Sequence, residues 1–286
     1  MEEMMIELGK RQCLQVVREK DFGVYVSELG MEDVAVLLPK KQVPDGIKIG
    51  DQIEVFIYKD SEDRLIATTA IPKVEVGKCA VLEVQEVNRI GAFLNMGTEK
   101  DLLLPYREQT YPVKKGDQVL IALYIDKSSR LAATMHVYPY LQANAPYQKD
   151  DRVKGHVYEV KPQFGAFVAV DDMYYGLIPK RELFLDIPVG TLVEARVLGV
   201  REDGKLDLST REKAYMQIHT DAQKLLEMIQ EYPGVFPFTD KTDPEKIKEK
   251  LQLSKNAFKR AVGHLLKEKK IRMTEQGIEA IEKKEY

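Results

Sequence analysis

Few residues of this chain have the types and spacing that catalysis needs. The four histidines (His136, His156, His219, His264) are scattered, with no pair at helical ligand spacing, so no metal site is expected. Cys13 and Cys79 lie far apart and match neither a zinc knuckle nor a disulfide framework; Cys79 reads as a buried thiol. Asp150-Asp151 and Asp171-Asp172 are adjacent acids in loop-like sequence, as in solvated turns. No phosphate-binding loop, dinucleotide fingerprint, HExxH pair or nucleophile elbow occurs. The expectation is a chain without catalytic residues, cofactor or metal. Binding chemistry is another matter. In PQFGAFVAV, Phe164 and Phe167 flank Gly165 and Ala166, and Lys180, Arg181, Arg201 and Lys205 follow. Aromatic rings offer a sequence-tolerant stack worth ~1–3 kcal/mol per nucleobase, and nearby cations track phosphates. Duplex DNA hides its base faces, so this chemistry favours single-stranded RNA.

The elements that must position these residues come from an internal repeat. DFGVYV at 21–26 and RIGAFL at 89–94 are relatives of the FGAFV stretch. Each is followed by an apolar residue and proline, at Leu38-Pro39, Leu104-Pro105 and Ile178-Pro179. In all three copies a glycine sits 11 residues after that proline, at Gly50, Gly116 and Gly190. Strand-like runs follow (GDQIEVFIY, GDQVLIALYI, GTLVEARVLGV), then short closing strands at 64–69, 130–135 and 205–210. Five short strands per copy, with glycine at the bends, suit a small closed barrel. Side chains three apart on a regular strand face opposite ways. A bulge at Gly165, inside the strand, would bring Phe164 and Phe167 onto one outer wall. The alternative keeps one of them in the core.

The pattern FGAFV, GLIP with a basic residue, GTLVEARVLGV and KLDLST resembles the S-one domain, the RNA-binding five-stranded oligonucleotide-binding (OB) fold. The likeness covers 147–212 well and 74–137 and 6–70 more loosely. It implies base stacking on the aromatics beside the glycine and phosphate contacts from the later strands. Carried over, these are Phe164 and Phe167 with Arg201 and Lys205, and Lys180 and Arg181 fall on the same face. In the second copy they are Phe93 with Asp126 and Arg130, with Arg107 beside them; in the first, Phe22 and Tyr25 with Asp60 and Arg64. Proline replaces a histidine usual in the family at 39, 105 and 179, and Ile90 stands where an aromatic belongs. Residues 1–70 carry 9 basic and 14 acidic residues, 71–145 carry 9 and 8, and 146–212 carry 10 and 12. The first copy is therefore read as scaffold, and the third as the strongest RNA site.

After Thr210 the period becomes helical. Ile218, Ala222, Leu225, Leu226 and Ile229 form one stripe. Asp243-Pro244 supplies an N-cap and first-turn proline for a helix through Leu251, and Ser254 caps a third. Phe258, Ala261, Val262, Leu265 and Leu266 form the third helix's apolar face, opposite Lys255, Lys259 and Lys267. Two short strands around Gln276-Gly277 complete a winged-helix order.

The expected fold is mainly β with a C-terminal α+β domain: three tandem five-stranded OB barrels (1–70, 71–145, 146–212) and a winged helix (213–286). This order resembles the conserved virulence factor B family, which implies a cytoplasmic, RNA-binding bacterial regulator. Net charge is −3 and the opening residues lack a signal-peptide pattern. The longest apolar stretch, VLIALYI at 119–125, is far short of the ~20 residues that span a bilayer, so no membrane partner is expected. Two rival readings remain: a scaffold docking on ribosome or RNA polymerase, and a DNA-binding regulator led by the winged helix.

Overall fold

Period-two alternation of apolar and polar residues builds three barrels in series, and the helical period builds the C-terminal domain. The structure, a computed structural model, describes residues 6–31, 33–183, 187–211, 214–239, 241–274 and 277–281. The chain divides into two compact units, Met1–Thr210 and Arg211–Tyr286. In the first barrel β1 (Arg11–Lys20), β2 (Gly23–Ser27), β3 (Val36–Pro39), β4 (Gln52–Lys59) and β5 (Leu65–Thr68) close in the order β1-β2-β3-β5-β4. The second is a five-stranded sheet, β10-β9-β6-β7-β8, of β6 (Cys79–Val87), β7 (Gly91–Leu94), β8 (Leu102–Pro105), β9 (Gln118–Ile125) and β10 (Leu131–Thr134). There β8 and β10 lie side by side at the seam. The third closes like the first, from β11 (Arg152–Lys161), β12 (Gly165–Val170), β13 (Tyr174–Pro179), β14 (Leu192–Val200) and β15 (Leu206–Ser209). The three prolines of the repeat each lead from a strand into one turn of 3-10 helix.

The same strand of successive repeats docks one barrel on the next. In β4, Ile53, Val55 and Ile57 fill the first barrel, while Phe56 and Tyr58 on the outer face join the second barrel's core. In β9, Leu120 and Ala122 face outward and pack with Val137, Leu141, Tyr158 and Ala169 toward the third barrel. That is why residues 55–58 of β4 and 119–123 of β9 read as unbroken apolar runs: both faces are buried there. The counterpart β14 keeps Leu192 and Glu194 exposed on its outer face. The apolar stretch 119–125 is thus a strand, packed on both sides over residues 119–123.

Cys79, at the start of β6, is half-buried against this second joint rather than fully buried. Burial, helped by the charge of Asp172, pushes its thiol up to about 12, whereas Cys13 is exposed. Only the thiolate reacts. At neutral pH an alkylating reagent is expected to label Cys13 alone in the native protein and both thiols after denaturation. Two equivalents incorporated natively, counted by mass spectrometry, would mean that the joint opens.

The second unit is a winged helix: α1 (Ala214–Glu231), α2 (Pro244–Leu251), α3 (Lys255–Lys267) and the hairpin β16 (Ile271–Thr274)–β17 (Gly277–Ala280). Both predicted caps form: the Asp243 side chain accepts from Glu245 N at 2.8 Å and the Ser254 side chain from Ala257 N at 3.1 Å. Gln276 lies outside the described residues. Ala222, Leu225, Ile229, Ile247, Phe258, Ala261, Leu265 and Ile278 form the core. Phe236 makes a single antiparallel bridge to Ile278 beside the hairpin, which the sequence pattern did not reveal. Leu266, expected on the buried face, is 38% exposed. At 100° per residue it lies about 100° round the helix from Leu265, past the edge of the core.

Candidate nucleic-acid interface

Phe164 is not inside a strand. It ends a turn, its N–H donating to the Lys161 carbonyl at 3.0 Å, and β12 begins at Gly165. The side-chain alternation of β12 therefore does not govern it, and it stands 58% exposed. The ladder of β12 with β13 is continuous from Gly165↔Pro179 to Val170↔Tyr174. The register shift lies across the other ladder, between Val157 and Glu159 of β11, opposite Phe167 and Val168. The expected bulge is thus in the neighbouring strand, centred on Tyr158. Gly165 serves a different purpose. Its φ is +127°, and a Cβ there would overlap the Ile178 carbonyl oxygen and stand 2.8 Å from Lys180 N. Glycine lets β12 cross close over the end of β13, where Lys180 N–H donates to the Phe164 carbonyl at 2.8 Å. The first two barrels repeat this at Gly23 and Gly91, leaving Phe22 56% and Ile90 57% exposed.

Phe167 points out of the third barrel, because Ala166, Val168 and Val170 take the inward positions. It is half-buried, 6.2 Å between ring centroids from Tyr158, with Lys161 Nζ 5.3 Å above its ring. Lys180 and Arg181 stand exposed on the 3-10 turn beside Phe164, with no ion pair among the described residues. Arg201 and Lys205 lie on the β14–β15 turn at the other end of the wall, sharing Asp203 at 3.5 and 3.3 Å. The four cations therefore bracket the aromatic wall in two pairs.

The corresponding cations of the other barrels are engaged. Arg64 pairs with Asp60 and Glu62, each at 2.8 Å. Arg130 reaches into the first barrel and clamps Asp63, its Nε 2.7 Å from Oδ1, which holds that carboxyl below its ordinary range. Arg107 is exposed, 3.4 Å from Glu108. Phe93 lies in a groove of about 640 Å³ whose lining includes Asp60, Asp63, Glu99, Asp101 and Asp126 against Lys59, Lys100 and Arg130. An excess of carboxylates beside an aromatic repels a polyanion. The first barrel keeps an open pair: Phe22 and Tyr25 meet edge-on at 6.3 Å, with Arg18 4.4 Å over Tyr25. Arg18 was missed by the sequence reading because it lies on β1, outside the motif.

On α3, Lys259 and Lys267 are exposed and Lys255 is half-buried at the flank. Arg260, not singled out from sequence, is also exposed and lies nearer the centre of the outward face than Lys255 or Lys259. Among the described residues none of these four has an ion pair. No helix of the described residues is long and apolar enough to cross a membrane.

Three S-one-type barrels in series with a winged helix define a multidomain protein built of nucleic-acid-binding domain types. The S1 domain family matches residues 8–70 and 76–136. The second domain of the virulence regulatory factor CvfB matches 140–212, and the CvfB-like winged helix domain matches 223–279. The chain belongs to the conserved virulence factor B family. Conserved virulence factor B of Staphylococcus aureus (strain MRSA252) is 30% identical over 97% of this chain and 98% of its own length. YitL of Bacillus subtilis (strain 168) is 31% identical over 92% and 90%. A crystal structure of a Streptococcus pneumoniae TIGR4 multidomain protein with nucleic acid binding domains covers 96% of this chain and 98% of its own, with 26% identity and a TM-score of 0.50.

Proposed function

We propose that this protein is a non-catalytic regulator that binds single-stranded RNA in the cytoplasm, with the third barrel as its main site. The observation that carries this reading is the third barrel's wall: exposed Phe164 and half-buried Phe167, flanked by Lys180 and Arg181, which have no acidic partner among the described residues. Stacking with nearby cations is the chemistry of single-strand recognition. The first two barrels act chiefly as scaffold, Arg64 and Arg130 each being held by a carboxylate. The test is a salt-titrated binding assay against single-stranded RNA, single-stranded DNA and duplex DNA. Single-stranded RNA is expected to bind best and to be recovered intact. Preference for duplex DNA would favour the winged helix as the leading element. RNA-independent co-purification with ribosomes or RNA polymerase, without RNA affinity, would favour a scaffold.

The winged helix is proposed to add phosphate contacts through α3. Neutralising Lys255, Lys259 and Lys267 together is expected to weaken binding to all sequences alike. Log affinity against log salt should flatten by roughly 0.7 for each single-strand phosphate that a lysine no longer neutralises. A folded triple variant with the parental slope would assign this face to another role.

A further inference from the structure

Between the second and third barrels the chain runs through the 3-10 turn Tyr138–Tyr140, which belongs to neither barrel. Its neighbours Val137 and Leu141 are buried in the joint, and Pro139 stiffens the turn, yet Tyr138 stands 48% exposed between them. Tyr138 is held against the third barrel's wall. Its ring centroid lies 4.9 Å from that of Tyr175, and the Tyr175 hydroxyl donates to the Tyr138 carbonyl at 3.0 Å. Lys205 Nζ sits 5.0 Å from the Tyr175 centroid, 5.8 Å from the Tyr138 centroid and 3.5 Å from the Tyr138 hydroxyl oxygen.

Register places this cluster in line with the barrel aromatics. Phe167 pairs with Leu177, two residues along β13 from Tyr175, and Leu177 pairs with Asp207 of β15, two residues from Lys205. At ~3.3 Å per strand residue the Tyr175 row lies about 7 Å from the Phe167 row. Phe164 stands beyond Phe167 on the opposite side. The aromatics thus form one track with a cation pair at each end.

We propose that Tyr138, Tyr175 and Lys205 form a further nucleotide subsite, in which a base of a single-stranded RNA stacks on Tyr138 while its phosphate meets Lys205. The linker between two barrels thereby becomes part of the third barrel's binding wall. Tyr138 supplies the exposed ring face, Tyr175 backs it, and the ammonium lies where the strand must leave the stack. The Tyr138 hydroxyl, and then Asp203, hold Lys205 above its ordinary value, so it is charged at neutral pH. This subsite rests on the RNA-binding reading above.

The test titrates labelled oligouridylates of increasing length against the full chain carrying Tyr138→Ala, Tyr138→Leu or Tyr138→Phe, with Phe164→Ala alongside. On long strands the alanine and leucine variants are expected to bind about 5- to 150-fold more weakly, the range for one base left unstacked. Their affinity should also stop rising at a shorter length than the parent's. Tyr138→Phe keeps the ring and should follow the parent. Leucine retains apolar packing at the joint, so weakened binding in that variant separates stacking from folding should alanine destabilise the joint. Parental binding by Tyr138→Leu, with affinity reduced in Phe164→Ala, would overturn the subsite and leave the RNA reading standing. Tyr138→Phe falling as far as Tyr138→Leu would also overturn it. A parent that binds no oligouridylate overturns both.

Discussion

Phe164→Ala combined with Phe167→Ala is expected to remove ~2–6 kcal/mol of single-stranded RNA affinity, from ~1–3 per stacked base. The two rings differ in what else they hold. Phe164 stands on a turn, so its loss should leave stability within the ~0.5 kcal/mol typical of surface changes. Phe167 packs beside Tyr158 and the joint with the second barrel, so its loss should cost measurable stability. That cost should stay below the ~3–5 kcal/mol of a fully buried phenylalanine, because the ring is only half-buried. The matched pair is Phe22→Ala with Tyr25→Ala. That wall is intact and open, but residues 1–70 carry 14 acids against 9 bases. It should therefore matter less. Equilibrium titration with parallel denaturant unfolding of the single and paired variants reads these affinities and stabilities. Undiminished affinity in the Phe164/Phe167 variant, or its abolition by the Phe22/Tyr25 change alone, would assign the site to the wrong barrel.

Gly165→Ala should be the most damaging single-methyl change in the third barrel. The φ of +127° is one that side chains rarely adopt, and the new Cβ would collide with the Ile178 carbonyl, a backbone atom that cannot rotate away. Backbone strain of ~1–3 kcal/mol and overpacking of ~1–3 kcal/mol together predict a loss of roughly 2–6 kcal/mol. Gly199→Ala is the control, since a Cβ there meets nothing within 4 Å and its φ is ordinary. Denaturant midpoints should fall sharply for the first variant and hardly at all for the second. RNA binding should fall with the first as well, because Gly165 sets where Phe164 and Lys180 meet. Equal midpoints would mean that β12 can lift off β13 without cost.

Much of this architecture is local, and local physics is written in sequence. The threefold spacing from glycine to proline to glycine, the period-two runs and the switch to a helical period each concern neighbours within a few residues. So do the Asp243 and Ser254 caps, where a short side chain reaches an N–H two or three positions on. The exposure of Phe164 and the outward direction of Phe167 were legible too, although the bulge was assigned to the wrong strand. A register shift belongs to a pair of strands, and one strand's residues do not say which partner carries it. What tertiary structure alone decided is which cations remain available. Arg64, Arg130 and Lys205 occupy the same repeat position, yet one is held by its own turn, one by a neighbouring barrel and one by its own turn together with a linker tyrosine. The partner of a charge depends on which surfaces dock, and docking rests on Phe56, Tyr58, Leu120 and Ala122 finding apolar surface many residues away. Tyr138 owes its place on the binding wall to the same cause: the joint between two barrels carries a residue from outside both repeats onto the face of one.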